Sequence, residues 1–332
     1  MALHNGSKTF LAASLLLPRS VREPAAALYA FCRLADDAVD ATGGRRDAVE
    51  RLRERLRLAY AGTPQDEPAD RALAVVVAQH RVPVALFDGL LEGFEWDLQG
   101  RRYDTLESLQ AYAARVAGTV GAMMALLMGV HSAEGLARAC DLGVAMQLSN
   151  IARDVGEDAR MGRLYLPRDW LVEAGLDPDA WLARPVFSPA LGAVVRRLLD
   201  AADVLYRRVD AGVARLPLGC RPGINAARFM YAAIGHEVAR RGLDSVSARA
   251  RVSGPRKAWL LLRAVTQLAP RAGPHALPPL AANRFLINAV VAAVPPAEAP
   301  TQRGIADRLV WTAELFARLE ARDQSQRSGL AT

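Results

Sequence analysis

The sequence has few cysteines and histidines, and it lacks the short motifs in which those residues usually hold zinc. Its three cysteines, Cys32, Cys140 and Cys220, are odd in number and widely spaced. This pattern predicts no disulfide framework and indicates a reducing compartment. Neither CxxC nor HExxH occurs, and the five histidines are scattered, which argues against a zinc enzyme.

Long apolar runs are also missing. The longest uncharged apolar stretch, residues 116–130, is shorter than the ~20 residues that cross a bilayer. An apolar run near the N-terminus, FLAASLLL, resembles part of a secretory signal, but it stops at Pro18 and Arg19. Cleavage near Ala30 would also cut into an acidic motif at residues 29–40. We therefore expect mature sequence here and a cytoplasmic protein.

A dinucleotide-binding GxGxxG motif is absent, and the basic residues form no block interleaved with aromatic residues. The formal net charge is nevertheless +7. A basic excess fits nucleic acid, an anionic membrane or an anionic substrate. Because no zinc-finger spacing or RNA-binding motif accompanies the charge, we expect no nucleic-acid partner, and the other two explanations remain.

Alternating runs of β-branched residues are absent too, whereas helical periodicity is present in almost every segment. The hydrophobic fraction of 52% and the charged fraction of 23% are typical of a soluble globular protein. The pattern predicts an all-α domain around a central cavity over residues 1–300, a helix at 301–323 and a disordered tail at 324–332. Residues 167–190 are expected to be mostly irregular. The predicted helices of the body are 21–41, 45–60, 70–80, 83–99, 105–130, 133–159, 188–215, 222–241 and 254–268.

The stretch QLSNIARDVGEDARMGRLYLP, which starts at Gln147, carries a polar helical face. Asp154 and Asp158 lie four residues apart, so on a helix they are neighbours, and Asn150 and Gln147 precede them on the same face. Two carboxylates at this spacing repel each other unless a cation lies between them. Oxygen ligands alone favour a hard ion such as Mg²⁺. A solvated helix face is the commoner explanation of one such motif.

A second acidic face makes the metal site the better explanation. In YAFCRLADDAVD, residues 29–40, Asp36 and Asp40 are again four apart, and Arg33 and Tyr29 lie on the preceding turns. Two such faces can meet across a helical bundle and hold several Mg²⁺ ions, with phosphate oxygens completing the coordination. Mn²⁺ is the alternative ion. The predicted metal ligands are Asp36, Asp40, Asn150, Asp154 and Asp158.

Both motifs, with their flanks, resemble those of the squalene/phytoene synthase family, and most closely its bacterial phytoene synthase branch. The likeness continues through SKTF (7–10), LLLP (15–18), VAGTVGAMM (116–124) and GRLYLP (162–167). It implies an isoprenoid-synthase-type helical bundle and a Mg²⁺-dependent prenyltransferase. The implied reaction joins two geranylgeranyl diphosphates head to head, through prephytoene diphosphate, to phytoene, the first committed step of carotenoid biosynthesis. The resemblance implies no nicotinamide cofactor, because the formation of phytoene ends in loss of a proton. The squalene reaction of the same family ends instead in hydride transfer from NADPH.

The resemblance also implies roles for individual residues. The catalytic residues are Asp36, Asp40, Asp154, Asp158, Tyr29 and Arg33. In isolation, a buried tyrosine and a salt-bridged arginine would explain the last two as well. The implied substrate-binding residues are Ser7, Lys8, Phe10, Tyr112, Gln147, Asn150, Arg153 and Tyr165. Arg249 and Arg251 both match a further diphosphate contact, and the sequence does not choose between them. Asp97 is a candidate for supporting the first acidic site.

Two small residues are candidates for setting the length of the prenyl tail. Ser14 follows the matched Phe10 by four residues, and Ala26 lies one turn before Tyr29. Aromatic side chains at these positions would fill the cavity, so small ones predict the longer, twenty-carbon substrate. The alternative is that the alanines around residue 26 are only good helix formers.

Three rival functions remain open. The nearest is a squalene, presqualene diphosphate or dehydrosqualene synthase that uses farnesyl diphosphate. A terpene cyclase shares the aspartate and metal chemistry, but the paired motifs with SKTF and GTVG argue against it. A non-enzymatic assembly factor of the same family is disfavoured by the retained aspartates. Because substrate and product are lipids, we also expect peripheral membrane association and contacts with other carotenoid-pathway enzymes.

Overall fold

Helices account for the regular structure of this protein. The structure is a computed structural model that describes residues 13–41, 46–267 and 277–293, and within them every side chain except those of residues 33–41, 46 and 211. No strand occurs in these ranges, which confirms the all-α prediction. The predicted helix at 301–323 and the tail at 324–332 lie outside the described residues. The helices with bounds in these ranges are α1 (Arg19–Ala41), α2 (Arg46–Tyr60), α3 (Pro68–His80), α4 (Val84–Leu98), α5 (Leu106–Ala113), α6 (Thr119–Leu127), α7 (Ala133–Arg160), α8 (Arg168–Glu173), α9 (Pro178–Ala183), α10 (Pro189–Val213), α11 (Arg221–Arg240), α12 (Gly254–Thr266) and α13 (Arg284–Ala293).

Helix α7, which carries the second acidic motif, forms the centre of the bundle. It begins after Ser132, whose Oγ accepts a hydrogen bond from the Gly135 amide at 3.3 Å, as an N-cap side chain does. Helices α6, α10 and α11 pack around it, and most of its residues up to Gly156 are buried. The polar face predicted from the sequence therefore lies inside the bundle and not on its solvated surface.

Two glycines allow the chain around α6 to lie very close to α7. A Cβ atom at Gly121 would lie 2.3 Å from the carbonyl oxygen of Ala139, and one at Gly143 would lie 2.2 Å from that of Ala117. Because both contacts are with backbone, a larger residue at either position would force the two segments apart. This close approach fixes one wall of the cavity that runs along α7.

The helix predicted over residues 105–130 is present, since the chain is helical without a break from residue 106 to residue 127, but one turn of it is π-helical. Helix α5 begins with a capping box between Thr105 and Ser108, and a π-helical turn, Ala114–Gly118, separates it from α6. Hydrophobic periodicity does not distinguish a single i→i−5 turn from the i→i−4 turns on either side of it.

Helices α9 and α13 were not predicted. The Asp177 side chain accepts a hydrogen bond from the Ala180 amide at 2.7 Å and caps α9, whose first residue is Pro178. The prolines near these segments suggest irregular chain, yet proline is well tolerated in the first turn of a helix.

None of the described helices combines the length and the apolar character that crossing a bilayer requires. The three cysteines are all buried, and none of them forms a disulfide.

Candidate active site

An elongated cavity runs beside α7, between α1, α6, α10 and α11. Its lining on α7 extends from Gly135 to Asn150, which spans about 22 Å at the rise of an α-helix. Most of the lining is apolar, from residues such as Phe94, Met124 and Met146. Apart from Ser14 and Arg138, the polar side chains of the lining belong to the half that leads to the aspartates: Tyr29, Asp97, Tyr112, Gln147, Asn150 and Tyr231. The cavity therefore has a polar end, near Asn150, and an apolar end, near Gly135.

Asn150 presents an oxygen to this polar end that no described residue uses. The residue is buried, with 8% of its surface exposed, and its Oδ1 atom has no hydrogen-bond partner among the described residues. A buried polar atom without a partner is costly, and a carbonyl oxygen in this position is a good ligand for a hard cation. Asn150 lies one helical turn before Asp154, as the sequence predicts.

Asp154 is held by two arginines. Arg153 donates from Nε and Nη2 to the two carboxylate oxygens at 2.6 and 2.5 Å. Arg249 approaches the same two oxygens from Nε and Nη2, both at 2.8 Å, and its Nη1 lies 3.1 Å from Glu157. Arg251 is exposed, so the structure brings Arg249 and not Arg251 to the site. The two guanidiniums keep N–H donors that these carboxylates do not use and that can bind a further anion.

The loop after α11 positions Arg249. The Ser245 hydroxyl donates to the carbonyl of Ala152 at 2.6 Å, and its own carbonyl accepts from the Gly156 amide at 3.0 Å. These bonds fasten the loop to α7 on both sides of Asp154. The guanidinium of Arg249 therefore reaches Asp154 from a segment that is remote in the sequence.

Asp158 lies one turn beyond Asp154 in a region of excess negative charge. Burial raises the pKa of its carboxyl to about 8, Asp154 and Glu157 act in the same direction, and Arg163 opposes them. A carboxyl with this pKa is mostly protonated at neutral pH, and a divalent cation beside it would favour the ionised form. The environment of Asp158 therefore fits a metal ligand.

The complete predicted metal site includes side chains that the structure does not describe. Among the described side chains, no group of three His, Cys, Asp or Glu residues could hold a metal ion. The backbone of α1 carries Arg33, Asp36 and Asp40 on the turns that follow Tyr29, but their side chains are not described. Ser7, Lys8 and Phe10 also lie outside the described residues.

A cluster of tyrosines surrounds Asp97 at the polar end. The hydroxyls of Tyr112 and Tyr165 donate to the two oxygens of Asp97 at 2.8 and 2.7 Å. Their rings stack with centroids 5.2 Å apart, and Tyr103 lies against both at 5.2 and 6.2 Å. Burial raises the pKa of Tyr112 and of Tyr165 well above the ordinary value, so both remain neutral donors. The sequence does not predict Tyr103 as a site residue, because no motif contains it and only the folded structure brings it next to Tyr112 and Tyr165.

The structure corrects one of the two chain-length candidates. Ser14 is buried and lines the cavity. Ala26 is exposed and is not part of the lining, whereas Ala25 is 1% exposed and lines the cavity. Residues three and four positions before Tyr29 both neighbour it on a helix, and here the one four positions before, Ala25, faces the cavity in place of Ala26.

Comparison with known proteins gives consistent matches. The family model for squalene/phytoene synthases matches residues 3–256. A phytoene synthase of Cereibacter sphaeroides is 51% identical over 97% of this chain and 92% of its own length. A phytoene synthase of Rhodobacter capsulatus is 56% identical over 78% of this chain and 77% of its own length. The crystal structure of a dehydrosqualene synthase in complex with a ligand matches with a TM-score of 0.72 at 31% identity, over 80% of this chain and 93% of that one.

Proposed function

Because the chain belongs to the squalene/phytoene synthase family, we propose that it joins two geranylgeranyl diphosphates head to head, through prephytoene diphosphate, to phytoene. This is the first committed step of carotenoid biosynthesis. The observation that carries the proposal is the cavity with one polar and one apolar end. A prenyl diphosphate has the same division, an anionic head and a hydrocarbon tail.

Mg²⁺ is the ion that the polar end fits best. Asp154, Asp158 and Asn150 would hold it together with Asp36 and Asp40 of α1. The fit is supported by the unpartnered Oδ1 of Asn150 and by a donor set made only of oxygen, which Mn²⁺ also accepts. When bound, the metal would neutralise the charge that builds up on the leaving diphosphate.

The arginines around Asp154 bind the diphosphate in this proposal. Arg153 and Arg249 share one carboxylate, so their remaining N–H groups are available to phosphate oxygens. Arg33, on the neighbouring turn of α1 from Tyr29, would contribute a third guanidinium. Donors fixed before the substrate arrives favour ionisation of the allylic carbon–oxygen bond, because they stabilise the charge that develops on the leaving group.

The walls of the cavity protect the allylic cation from water. The apolar lining excludes solvent, and Tyr112 offers a ring face that can stabilise a cation. Asp97 fixes the hydroxyls of Tyr112 and Tyr165, which orients the rings. Because the final step is loss of a proton, the reaction requires no nicotinamide cofactor.

A synthase that uses farnesyl diphosphate is the second candidate. The structural likeness to a dehydrosqualene synthase favours it. The small residues Ser14 and Ala25 in the lining favour the longer substrate, because they leave room where larger side chains would shorten the cavity.

Product analysis tests the two candidates. Purified protein is incubated with Mg²⁺ and either geranylgeranyl or farnesyl diphosphate, and the extracted products are identified by mass spectrometry. Phytoene from the first substrate, with little thirty-carbon product from the second, is the expected result. Preferential formation of squalene or dehydrosqualene would contradict the proposal. Absence of turnover with either substrate would favour a non-enzymatic relative.

The proposal includes peripheral association with anionic membranes through α12. One face of this helix packs in the bundle through Leu260 and Ala264, whereas Trp259, Leu262 and Val265 are 48%, 63% and 45% exposed. The helix contains no acidic residue and three basic ones, Arg256, Lys257 and Arg263. An exposed apolar stripe flanked by cations is typical of a helix that lies in the lipid interface. Contacts with other carotenoid-pathway enzymes stay a prediction of the family resemblance.

Vesicle sedimentation tests this surface. Binding is expected to vesicles that contain phosphatidylglycerol and to be weaker with phosphatidylcholine alone. The double substitution Trp259→Ser/Leu262→Ser should weaken it. The matched control Val75→Ser/Val172→Ser changes two exposed valines outside α12 and should bind like the unmodified protein. Equal binding of both double variants would show that α12 is not the membrane-binding surface.

A further inference from the structure

The apolar end of the cavity is closed by a charged residue. Its lining includes Val130, Gly135, Arg138, Gly212, Val213 and Leu216. Arg138 is the only charged member of this group, and its side chain is 4% exposed. It precedes Asp154 by sixteen residues on α7, which corresponds to about 24 Å along the helix. A guanidinium therefore lies at the far end of an otherwise apolar tunnel.

The guanidinium of Arg138 is anchored by groups that do not line the cavity. Its Nη2 lies 3.2 Å from Asp141 Oδ2 and donates to the carbonyls of Leu277 and Pro278 at 3.3 and 3.4 Å. Its Nε is buried and has no hydrogen-bond partner among the described residues. The group is thus anchored through one nitrogen and leaves another polar atom without a partner.

Asp141 is itself firmly held. It is completely buried, and its carboxylate accepts from Arg208 Nε at 2.8 Å and from Asn283 Nδ2 at 3.0 Å. Arg138 therefore cannot move without disturbing an ion pair that has no access to water, and such a disturbance is unfavourable.

The aliphatic part of Arg138 is confined by α10. A Cβ atom at Gly212 would lie 2.4 Å from Arg138 Cβ and 2.9 Å from its Cγ, so the backbone of α10 lies directly against this side chain. Packing on one side and the ion pair on the other hold Arg138 in place.

From this arrangement we propose that Arg138 is the floor of the tail-binding tunnel and sets the longest prenyl tail that the protein accepts. A tail with one more isoprene unit would have to cover the buried guanidinium with hydrocarbon, which supplies no hydrogen bond. The proposal rests on the proposed function, since it takes the diphosphate to lie at the polar end. It predicts that twenty-carbon tails fit and that the twenty-five-carbon tail of geranylfarnesyl diphosphate does not.

The test measures binding independently of turnover. Affinities for non-ionising thiolo analogues of farnesyl, geranylgeranyl and geranylfarnesyl diphosphate are measured by calorimetry with the full chain and Mg²⁺. The substitution Arg138→Met keeps an unbranched stem and removes the guanidinium, while Asp141 retains Arg208 and Asn283. It should raise the affinity ratio of the twenty-five-carbon to the twenty-carbon analogue by about tenfold or more.

Arg208→Met is the matched control. Arg208 also pairs with Asp141, but it is not part of the cavity lining, so its loss should leave the ratio unchanged. An unchanged ratio in folded Arg138→Met, or the same increase in both variants, would overturn the proposal.

A second variant is decisive if Arg138→Met does not fold. Leu216→Ala enlarges the same end of the tunnel without touching the ion pair, and it should also favour the twenty-five-carbon analogue. A folded Leu216→Ala protein with an unchanged preference would place the end of the tail elsewhere. The product assay with the unmodified protein tests the proposed function separately. That assay depends on chemistry at the polar end, so it can fail even if the Arg138 variants change the preferred tail length.

Discussion

Helix α7 carries two buried aspartates that are each held by two arginines, and the two differ in what surrounds them. Asp141, near the apolar end, also accepts from the amide of Asn283, so donors enclose its carboxylate. Asp154, at the polar end, has two further acidic neighbours, Glu157 and Asp158, and the unpartnered oxygen of Asn150 lies one helical turn earlier. Similar pairs of arginines stabilise the fold where they surround a single carboxylate and form a candidate ligand site where further carboxylates lie beside it.

The largest expected difference between the two aspartates is in catalysis. Asp154→Asn should lower the rate of phytoene formation on the order of 10³-fold, because the proposed metal ligand and the anchor of the two arginines proposed to bind diphosphate would be lost together. The rate is measured with purified protein and saturating Mg²⁺, after circular dichroism has confirmed the helical fold. Asp141→Asn is the control and should change the rate only a few-fold. Comparable losses in two folded variants would remove the distinction between the sites.

Stability should show the reverse order. Asp141→Asn leaves the buried Arg138 without its charged partner, a change that typically costs about 3–5 kcal/mol in the free energy of unfolding. Asp154→Asn should cost less, because Arg249 retains Glu157. Urea unfolding of both variants in the absence of metal measures the difference. A larger loss of unfolding free energy in Asp154→Asn than in Asp141→Asn would mean that the polar end contributes more to stability than the ion pair at Asp141.

Arg249 should contribute a smaller, specific effect on substrate binding. Arg249→Lys keeps the charge but loses the two-pronged contact with Asp154 and with phosphate, so KM for geranylgeranyl diphosphate should rise about tenfold. The exposed Arg251 provides the control, and Arg251→Lys should leave KM unchanged. Equal effects of the two substitutions on KM would show that Arg249 has no specific role in substrate binding.

The smallest expected effect concerns pH. The pKa of Asp158 is raised to about 8 in the folded protein, so the folded state retains a proton that the unfolded state releases. Stability is therefore lost as the pH rises from the ordinary carboxyl pKa toward 8. Asp158→Asn removes this loss. Without metal at about pH 9, it should melt higher than the unmodified protein by on the order of 2–4 °C, the shift expected for about 1 kcal/mol.

Added Mg²⁺ provides a second comparison of the unmodified protein with Asp158→Asn. It should raise the melting temperature of the unmodified protein more than that of Asp158→Asn, because only the former offers the second carboxylate of the motif to the metal. Equal metal-induced shifts would exclude Asp158 as a ligand.

Much of the polar end could be predicted because its residues lie on one helix. The spacing of Gln147, Asn150, Asp154 and Asp158 indicates a shared face, and the predicted helix at 133–159 nearly coincides with α7. Local periodicity is sufficient for such a prediction, since residues three and four apart meet wherever the helix lies.

The remaining parts depend on contacts between distant segments. Arg249 reaches Asp154 only through the docking of a loop, and Arg138 closes the tunnel only because α10 lies against it at Gly212. No local pattern in the sequence contains either relation. The error at Ala26 has a different cause, since an uncertainty of one residue in helical phase decides which alanine faces the cavity.

In the proposed complex, a prenyl diphosphate lies with its head at Asp154 and Asp158 and its tail along α7 toward Arg138. The most direct measurement is a crystal structure of the protein with Mg²⁺ and the thiolo analogue of geranylgeranyl diphosphate. We expect metal on Asp154, Asp158 and Asn150, with the last isoprene unit against Arg138. A diphosphate bound away from these aspartates, or a tail that leaves the cavity before Arg138, would contradict it.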